Sequence, residues 1–159
     1  MPKVKAVPEG CEGIIVHLVV DNAAQAIDFY SKAFGATEIY RAPMPDGSKI
    51  MHAEMRIGKS VVYLADDFPE WSGKSRTPKS LGGTPFNLHQ YVPNTDAAIK
   101  RAKEAGATIT MEPADMFWGD RYGKVMDPFG HEWAFSTHLR DVSPEEMVAA
   151  AAEMFSGQS

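Results

Sequence analysis

Residues 17–36 read HLVVDNAAQAIDFYSKAFGA, and residues 89–107 read HQYVPNTDAAIKRAKEAGA. The second stretch repeats the first at an offset of 72 positions (89 − 17), with a histidine, a valine, an asparagine and an Ala-Ile pair in register. An offset of this length is too long for one unit of a solenoid protein. The repeat therefore predicts two copies of one module, each containing a strand, a turn, a helix and further strands.

Local patterns give each module the order βαβββ. The first strand is expected at about 13–20, with Asp21 or Asn22 capping the next helix and Gly35 ending it. Three more strands follow at about 36–42, 49–57 and 60–66. In the third, Met51, Ala53 and Met55 alternate with polar residues and are expected on the core side. The second module repeats this order, with strands at about 86–92, 107–111, 120–126 and 131–138 around a helix at about 94–105.

These elements predict an α+β fold: two βαβββ modules forming an open eight-stranded mixed sheet around a cleft, plus a C-terminal helix. The boundaries are a lead-in at 1–12, the first module at 13–66, a connector at 67–84, the second module at 85–138, and the helix and tail at 139–159, all in one structural domain. The stretch EPADMFWGDRYG (112–123) is expected to be a loop. The C-terminal helix starts with a capping box, Ser143 to Glu146, and is expected to pack through Met147, Met154 and Phe155.

Composition narrows the function classes. The net charge of −5 argues against nonspecific nucleic-acid binding, which needs clustered Lys and Arg. The single cysteine, Cys11, fits a reducing compartment. No apolar run reaches the roughly 20 residues of a membrane span, and no signal peptide is recognisable. We expect a cytoplasmic protein without a nucleic-acid or membrane partner.

Three segments carry a resemblance to a known family: LVVDNAAQAIDFYSKAFGA, AIKRAKEAGA and DPFGHEW. Over residues 13–138 the chain resembles the vicinal oxygen chelate superfamily, which includes glyoxalase I, bleomycin-resistance proteins and extradiol dioxygenases. MHAEMRIGKSVVYLAD and FWGDRYGKVMDPFGHEWAFSTH look like its PhnB-like branch. The resemblance implies a small-molecule ligand in the cleft and a homodimer, in which the C-terminal helix is a candidate contact.

The resemblance also implies where a divalent metal would be held. Enzymes of the superfamily use His, Gln or Glu from the first and last strand of each module. Here the equivalent positions fall on Ile15 and Asn87 in the first strands, and on Ala134 and Tyr63 (or Val62) in the last strands. These side chains do not make a site for a hard or borderline cation. The chain is therefore similar to the metal-free members, and no cofactor is expected.

A displaced set of residues keeps the metal alternative open. His17, His89 and Glu132 each lie two positions from an implied ligand position, so they share its face of the strand. Two histidines and a carboxylate are able to bind a divalent metal or to perform acid–base chemistry. The alternative is that they line a polar pocket.

Further candidates lie on the same strands or in the predicted loop. His52 and Glu54 share the polar face of the third strand, where they either line the cleft or form an ordinary solvated or dimer-facing surface. Trp118, Asp120, Arg121 and Tyr122 suggest a lid or stacking platform for a planar or anionic ligand; the alternative is that Trp118 and Phe117 fill the end of the core. The expected ligand-binding residues are His17, His52, Glu54, Tyr63, Asn87, His89, Trp118, Arg121 and Glu132.

Three functions remain open at this point. The favoured one is a glyoxalase/bleomycin-resistance-like protein that binds a small organic molecule without metal. The second is a divalent-metal-dependent lyase, isomerase or dioxygenase that uses the displaced ligand set. The third is a metal-free enzyme in which one histidine acts as general base, so the pattern leaves open whether the protein is an enzyme.

Overall fold

The computed structural model describes residues 4–157, so the ends of the predicted lead-in and tail, 1–3 and 158–159, lie outside the described residues. The strands are β1 (Val16–Val20), β2 (Thr37–Pro43), β3 (Ile50–Ile57), β4 (Ser60–Asp66), β5 (Asn87–Tyr91), β6 (Thr108–Asp115), β7 (Asp120–Met126) and β8 (Glu132–His138). The helices are α1 (Ala23–Phe34), α2 (Pro69–Ser72), α3 (Pro78–Leu81), α4 (Thr95–Ala105) and α5 (Pro144–Ser156). No helix in this range is long and apolar enough to cross a bilayer.

The strands form two four-stranded mixed sheets, one in each module. Their orders are β1-β4-β3-β2 and β5-β8-β7-β6. In each sheet the first strand of the module pairs in parallel with the last, and the other pairings are antiparallel. The α+β class, the two βαβββ modules and the C-terminal helix are confirmed. The cleft expected around the sheets stays a prediction.

The described chain divides into two compact units. The first unit ends at Thr84 but also contains Pro128–His131, the turn that precedes β8. The second unit contains Pro85–Asp127 and the chain from Glu132 onward. The first unit therefore takes a short segment from far along the sequence.

In the first unit α1 covers one face of the sheet. Leu18, Ile27 and Leu64 are almost fully buried there, and each contributes about 2 kcal/mol through removal from water. Asn22 is the N-cap, because its side chain accepts a hydrogen bond from Gln25 N at 3.1 Å, and Gly35 ends the helix in a left-handed conformation with φ 65°. The ring of Phe129, from the inserted turn, packs edge-on against Phe29 and Tyr30.

In the second unit α4 covers the equivalent face. Ile99, Val125 and Trp133 form its buried core. Asn94 repeats the capping role, with its side chain accepting from Ala97 N at 2.9 Å. The repeated asparagine was therefore a sound indicator of where both helices begin.

The predicted loop at 112–123 is wrong. β6 extends to Asp115 and β7 begins at Asp120, so only the turn 116–119 lies outside the strands. The connector at 67–84 contains the short helices α2 and α3. Both begin with a proline at the first helical turn, which has a fixed φ suited to that position.

Two packing predictions are also corrected. On β3 the alternation holds for Ala53 and Met55, but Met51 is exposed and Ile50 is buried. α5 has the predicted capping box, with Ser143 and Glu146 bonded in both directions. However, Met154 and Phe155 are exposed and Met147 is only partly covered, so these residues do not pack as expected. An amphipathic sequence predicts that a helix has an apolar side, but not that its own chain covers it.

Candidate ligand-binding site

Three rings meet on the helix-free face of the first sheet. His17 and Tyr63 are register partners on β1 and β4, and His52 comes from β3. The ring centroids are 5.8 Å apart for His17 and His52, 6.1 Å for His17 and Tyr63, and 4.7 Å for His52 and Tyr63, all in edge-on geometry. We call these residues the three-ring cluster; its members are all predicted ligand-binding residues.

Polar groups next to the three-ring cluster set its proton chemistry. His52 Nε2 and Glu54 Oε1 are 3.1 Å apart, and Cys11 Sγ and the Tyr63 hydroxyl are 4.0 Å apart. The hydrogen bond with Cys11, together with desolvation, raises the pKa of Tyr63, so its hydroxyl remains protonated. Desolvation lowers the pKa of His17, and the nearby His52 lowers it further. His17 is thus neutral at pH 7 and able to accept a proton.

The helix-free face of the second sheet carries a row of four rings. Tyr91 stacks on His89 with centroids 5.3 Å apart, His89 lies 5.7 Å from Tyr122, and Tyr122 lies 5.8 Å from Trp118. We call Tyr91, His89, Tyr122 and Trp118 the aromatic row. His89 and Tyr91 are exposed and the other two are partly exposed, so the rings are accessible to a ligand.

Small side chains on β8 make the aromatic row possible. β8 lies between β5, which carries His89, and β7, which carries Tyr122. On β8 the residues facing the same side are Ala134 and Ser136, both with no exposed surface. His89 Nε2 lies 2.9 Å from Ser136 Oγ, so the imidazole leans over the central strand toward Tyr122.

A buried carboxylate anchors both ends of the aromatic row. Asp120, only 4% exposed, accepts a hydrogen bond from the Tyr91 hydroxyl at 2.8 Å and one from the side chain of Trp118. His138 Nδ1 lies 2.8 Å from its other oxygen. Burial alone would raise the pKa of Asp120, but the hydrogen bonds from His138, Tyr91 and Trp118 outweigh it and lower the pKa. The pKa of His138 is raised by its hydrogen bond to Asp120 and, to a smaller extent, by its hydrogen bond to Asp141.

The turn that carries Trp118 packs tightly against the backbone of residues 139–140. Gly119 has φ 98°, and a Cβ there would collide with the carbonyl oxygen of Arg140. The backbone N–H groups of Leu139 and Arg140 both donate to Gly119 O, at 2.9 and 3.2 Å. Trp118 is therefore presented by a fixed turn, which suits a stacking platform better than a moving lid.

Arg121 does not join the aromatic row. Its guanidinium pairs with Asp96 of α4 and with Asp115, at 2.8 Å to Asp115 Oδ1. It lies on the helix side of β7, because successive side chains of a strand point to opposite faces. The sequence-based expectation that it accompanies Trp118 and Tyr122 is wrong, because it assumed a loop where the strand already alternates.

Glu132 and Asn87 lie at one end of the same helix-free face. They are register partners, and Glu132 Oε1 is 3.1 Å from Lys124 Nζ. The pairing with Lys124 occupies a carboxylate that was a candidate metal ligand.

The residues do not fit the divalent metal that the family implies. Of its ligand positions, Ile15 and Ala134 have side chains without a donor atom, so the implied ligand set is incomplete. Within residues 4–157, no group of three or more His, Cys, Asp and Glu side chains is arranged to hold a metal ion.

A cavity of about 420 Å³ also opens in the first unit, away from these rings. It lies where α1 begins and β4 ends, and Lys49, Asp66 and Asp67 contribute to its wall. Both carboxylate oxygens of Asp66 accept hydrogen bonds, one from the backbone N–H of Ala23 and one from that of Ile50. These carboxylates therefore serve the fold, and none of the predicted ligand-binding residues lines the cavity.

Sequence reasoning missed Tyr91, Ser136 and His138. Tyr91 was detectable, since it lies two residues after His89 and therefore shares its face. Ser136 and His138 follow in the same way from Ala134 on β8. Their partners were not detectable, because pairing between distant strands is absent from a single sequence.

The protein is built from two βαβββ modules, and the sheet of each module has one face that no helix covers. A family model described as the Glyoxalase/Bleomycin resistance protein/Dioxygenase superfamily matches residues 14–135. The chain belongs to this superfamily.

Relatives and solved structures are similar to this chain over most of its length. An uncharacterized protein of Mycobacterium bovis is 51% identical over 142 residues, covering 89% of this chain and 93% of the relative. The crystal structure of TioX from Micromonospora sp. ML1 is similar with a TM-score of 0.62 and 29% identity, over 80% of this chain and 99% of TioX. A fosfomycin resistance protein, FosX, from Listeria monocytogenes, crystallised as a mutant with Mn(II) and a dihydroxypropylphosphonic acid, has a TM-score of 0.60 and 16% identity, over 86% and 95% of the two chains. That similarity concerns the fold alone.

Proposed function

We propose that this protein binds a small planar organic molecule against the aromatic row, without a metal ion. The observation that carries the proposal is the continuous contact of four accessible rings on a helix-free sheet face. This is the bleomycin-resistance type of function within the superfamily, and we place the protein in its PhnB-like branch.

The chemistry of the aromatic row favours a flat ligand. Aromatic faces attract other rings in offset-stacked or edge-on arrangements, worth about 0.5–1.5 kcal/mol per pair beyond the area buried. Rings with few rotatable bonds lose little entropy when a ligand binds. The anchoring of Tyr91 and Trp118 by Asp120 reduces that loss further.

Binding can be followed through Trp118. A panel of planar heterocycles, such as quinoline and acridine, is titrated while tryptophan fluorescence is recorded in a Trp71→Phe, Trp133→Phe background, which leaves Trp118 as the reporter. We expect saturable quenching that is weakened about tenfold or more by His89→Ala. Tyr40→Ala, a change at an exposed ring of the first sheet, is the control and should leave affinity unchanged. Absence of saturable quenching by any member of the panel would count against the proposal.

The metal question needs a separate measurement. Protein purified without chelator or added metal is analysed for Mn, Fe, Ni, Zn and Cu. We expect no stoichiometric metal, because Glu132 is paired with Lys124 and the implied ligand positions lack suitable donors. A stoichiometric metal that is lost in His17→Ala or His89→Ala would instead support the metal-dependent lyase or dioxygenase.

A second candidate function, general-base catalysis, is favoured by the three-ring cluster. A neutral His17 beside the Tyr63 hydroxyl offers a proton acceptor and a donor on one face. For any substrate found, a rate that falls with acid and a large loss in His17→Gln would support this candidate, whereas binding without turnover would leave sequestration as the function.

A further inference from the structure

Titratable side chains joined by hydrogen bonds lie on two sides of the aromatic row. On one side, Lys124 of β7 is the register partner of Ala134 and pairs with Glu132. On the other side, His138 joins Asp120 to Asp141. These groups comprise three carboxylates and two basic side chains, so carboxylates are in excess by one. The surroundings of the aromatic row therefore favour positive over negative charge in a ligand.

Both basic side chains already have carboxylate partners. Lys124 Nζ lies 3.1 Å from Glu132 Oε1. His138 Nδ1 lies 2.8 Å from Asp120 Oδ1, and its Nε2 lies 2.9 Å from Asp141 Oδ1. A negatively charged ligand would have to displace one of these carboxylates before it could pair with a cation. A positively charged ligand needs no such exchange.

The cation that the sequence suggested for this site points away from it. Arg121 lies on the helix side of β7, where its guanidinium pairs with Asp96 and Asp115. The sequence pattern allowed a planar or an anionic ligand, and the anionic alternative depended on this guanidinium. With Arg121 on the opposite face of the sheet, that alternative loses its binding group.

The rings themselves attract cations. The face of an aromatic ring carries negative charge density, which attracts a cation within about 6 Å of the ring centroid, most strongly for Trp. Successive centroids in the aromatic row are 5.3, 5.7 and 5.8 Å apart, so a cationic ring system lying along the row reaches more than one ring. Tyr91 and Trp118 also donate hydrogen bonds to Asp120, and such polarisation makes their rings richer in electrons.

We propose that the aromatic row selects planar organic cations, such as protonated or N-alkylated nitrogen heterocycles, over neutral and anionic molecules of the same shape. The inference rests on the proposed function, since it specifies the ligand that the row binds. The ring faces attract the cation directly, and the carboxylates on the two sides of the row provide the complementary charge.

Three ligands of one shape test this selectivity. N-methylquinolinium is a permanent cation, quinoline is neutral at neutral pH, and a quinoline carboxylate is an anion. Their affinities are measured by isothermal titration calorimetry. We expect the cation to bind at least tenfold more tightly than quinoline, and the anion to bind more weakly than quinoline. Raising the ionic strength should reduce these differences, because salt screens charges that are exposed to solvent.

A lysine substitution should strengthen cation binding. Lys124→Met keeps the length of the side chain and releases the carboxylate of Glu132 on the face of the aromatic row, so affinity for N-methylquinolinium should rise about threefold. Affinity for quinoline should not change. Lys100→Met is the matched control, because it also breaks a Lys–Glu pair, with Glu104, but on α4 on the other side of the sheet. It should leave both affinities unchanged.

An aspartate substitution should act in the opposite direction. Asp141 is fully exposed, so Asp141→Asn is tolerated by the fold and should weaken binding of N-methylquinolinium about threefold. Glu104→Gln, which removes one negative charge on α4, is the control and should have no effect. Urea midpoints confirm that all four variants remain folded.

The outcomes separate this inference from the proposed function. If none of the three ligands binds saturably, the proposed function is overturned and the inference with it. If quinoline or its carboxylate binds as tightly as N-methylquinolinium, the aromatic row remains a binding site but the inference of cation selectivity is wrong. A cation preference that stays the same in both Lys124→Met and Asp141→Asn would also overturn it, because the charges on the two sides of the row would then have no part in selection.

Discussion

The two modules place a histidine at the same point of their first strand and surround it differently. His17 has Tyr63 as its register partner on the last strand, whereas His89 has Ala134. Beside His17, large rings stand on neighbouring strands and meet edge-on. Beside His89, small residues on β8 let rings from its two neighbouring strands, β5 and β7, meet above it. The difference between Tyr63 and Ala134 on the last strands thus contributes to separating a cluster suited to proton transfer from a platform suited to stacking.

The largest expected effect comes from removing the anchor of the platform. Asp120→Ala leaves Tyr91, Trp118 and His138 without their shared acceptor, and should lower the free energy of unfolding by about 3 kcal/mol. Urea denaturation measures it. Asp120→Asn, which keeps a carbonyl acceptor, is the matched control and should cost clearly less. Equal losses in the two variants would show that the hydrogen bonds do not act as described.

The next effect comes from giving the second sheet the residue of the first. Ala134 has no exposed surface, so Ala134→Tyr overpacks the space beneath the aromatic row and should destabilise the protein by about 2 kcal/mol. It should also abolish quenching of Trp118 by planar ligands. Thr110→Tyr, at an exposed position of β6, adds the same ring without crowding. A stable Ala134→Tyr protein with unchanged ligand binding would disprove the role of the small residues.

The two modules should respond to pH in opposite directions. The raised pKa of His138 stabilises the fold below the unfolded pKa, about 6.5, and this contribution is lost as the pH rises through the folded pKa. The lowered pKa of His17 has the reverse sign, since the unfolded chain binds its proton more readily and stability falls as the pH drops below about 6.5.

Single substitutions separate these contributions. His138→Gln should remove the stability that is lost on raising the pH, and His17→Gln should remove the loss on acidification. Urea midpoints between pH 5 and 8 provide the measurement. If both variants kept the slope of the wild type, the pH dependence would originate elsewhere.

The smallest effect is expected within the three-ring cluster. His52→Gln removes the electrostatic effect of His52 on His17, so the pKa of His17 should rise toward its ordinary value, although desolvation, the larger cause, remains. The titration of the imidazole is followed by NMR. His89→Gln, in the other module, is the control and should leave the His17 titration unchanged.

The internal repeat made the fold predictable, and strand alternation made half of the site predictable. Residues two apart on a strand point the same way, which placed His17 on the face of Ile15 and His52 on the face of Glu54, whereas Tyr63 was indicated by the family resemblance. Arg121 was misplaced, because a loop was expected where β7 already alternates. The roles of Asp120 and Ser136 depend on pairings across the sheet, which a single sequence does not contain.

The position of Pro128–His131 in the first unit has a consequence for synthesis of the chain. Phe129 completes the ring cluster around Phe29, and the ring of His131 lies 2.9 Å, through Nε2, from the carbonyl oxygen of Val19. During synthesis on the ribosome, the first 84 residues emerge before Pro128–His131 has been made. The first unit therefore cannot complete its folding until the turn before β8 has emerged. The sequence has the pattern of a tandem duplication, but the two units therefore do not fold independently, one after the other. Its first half is completed by a segment made near the end.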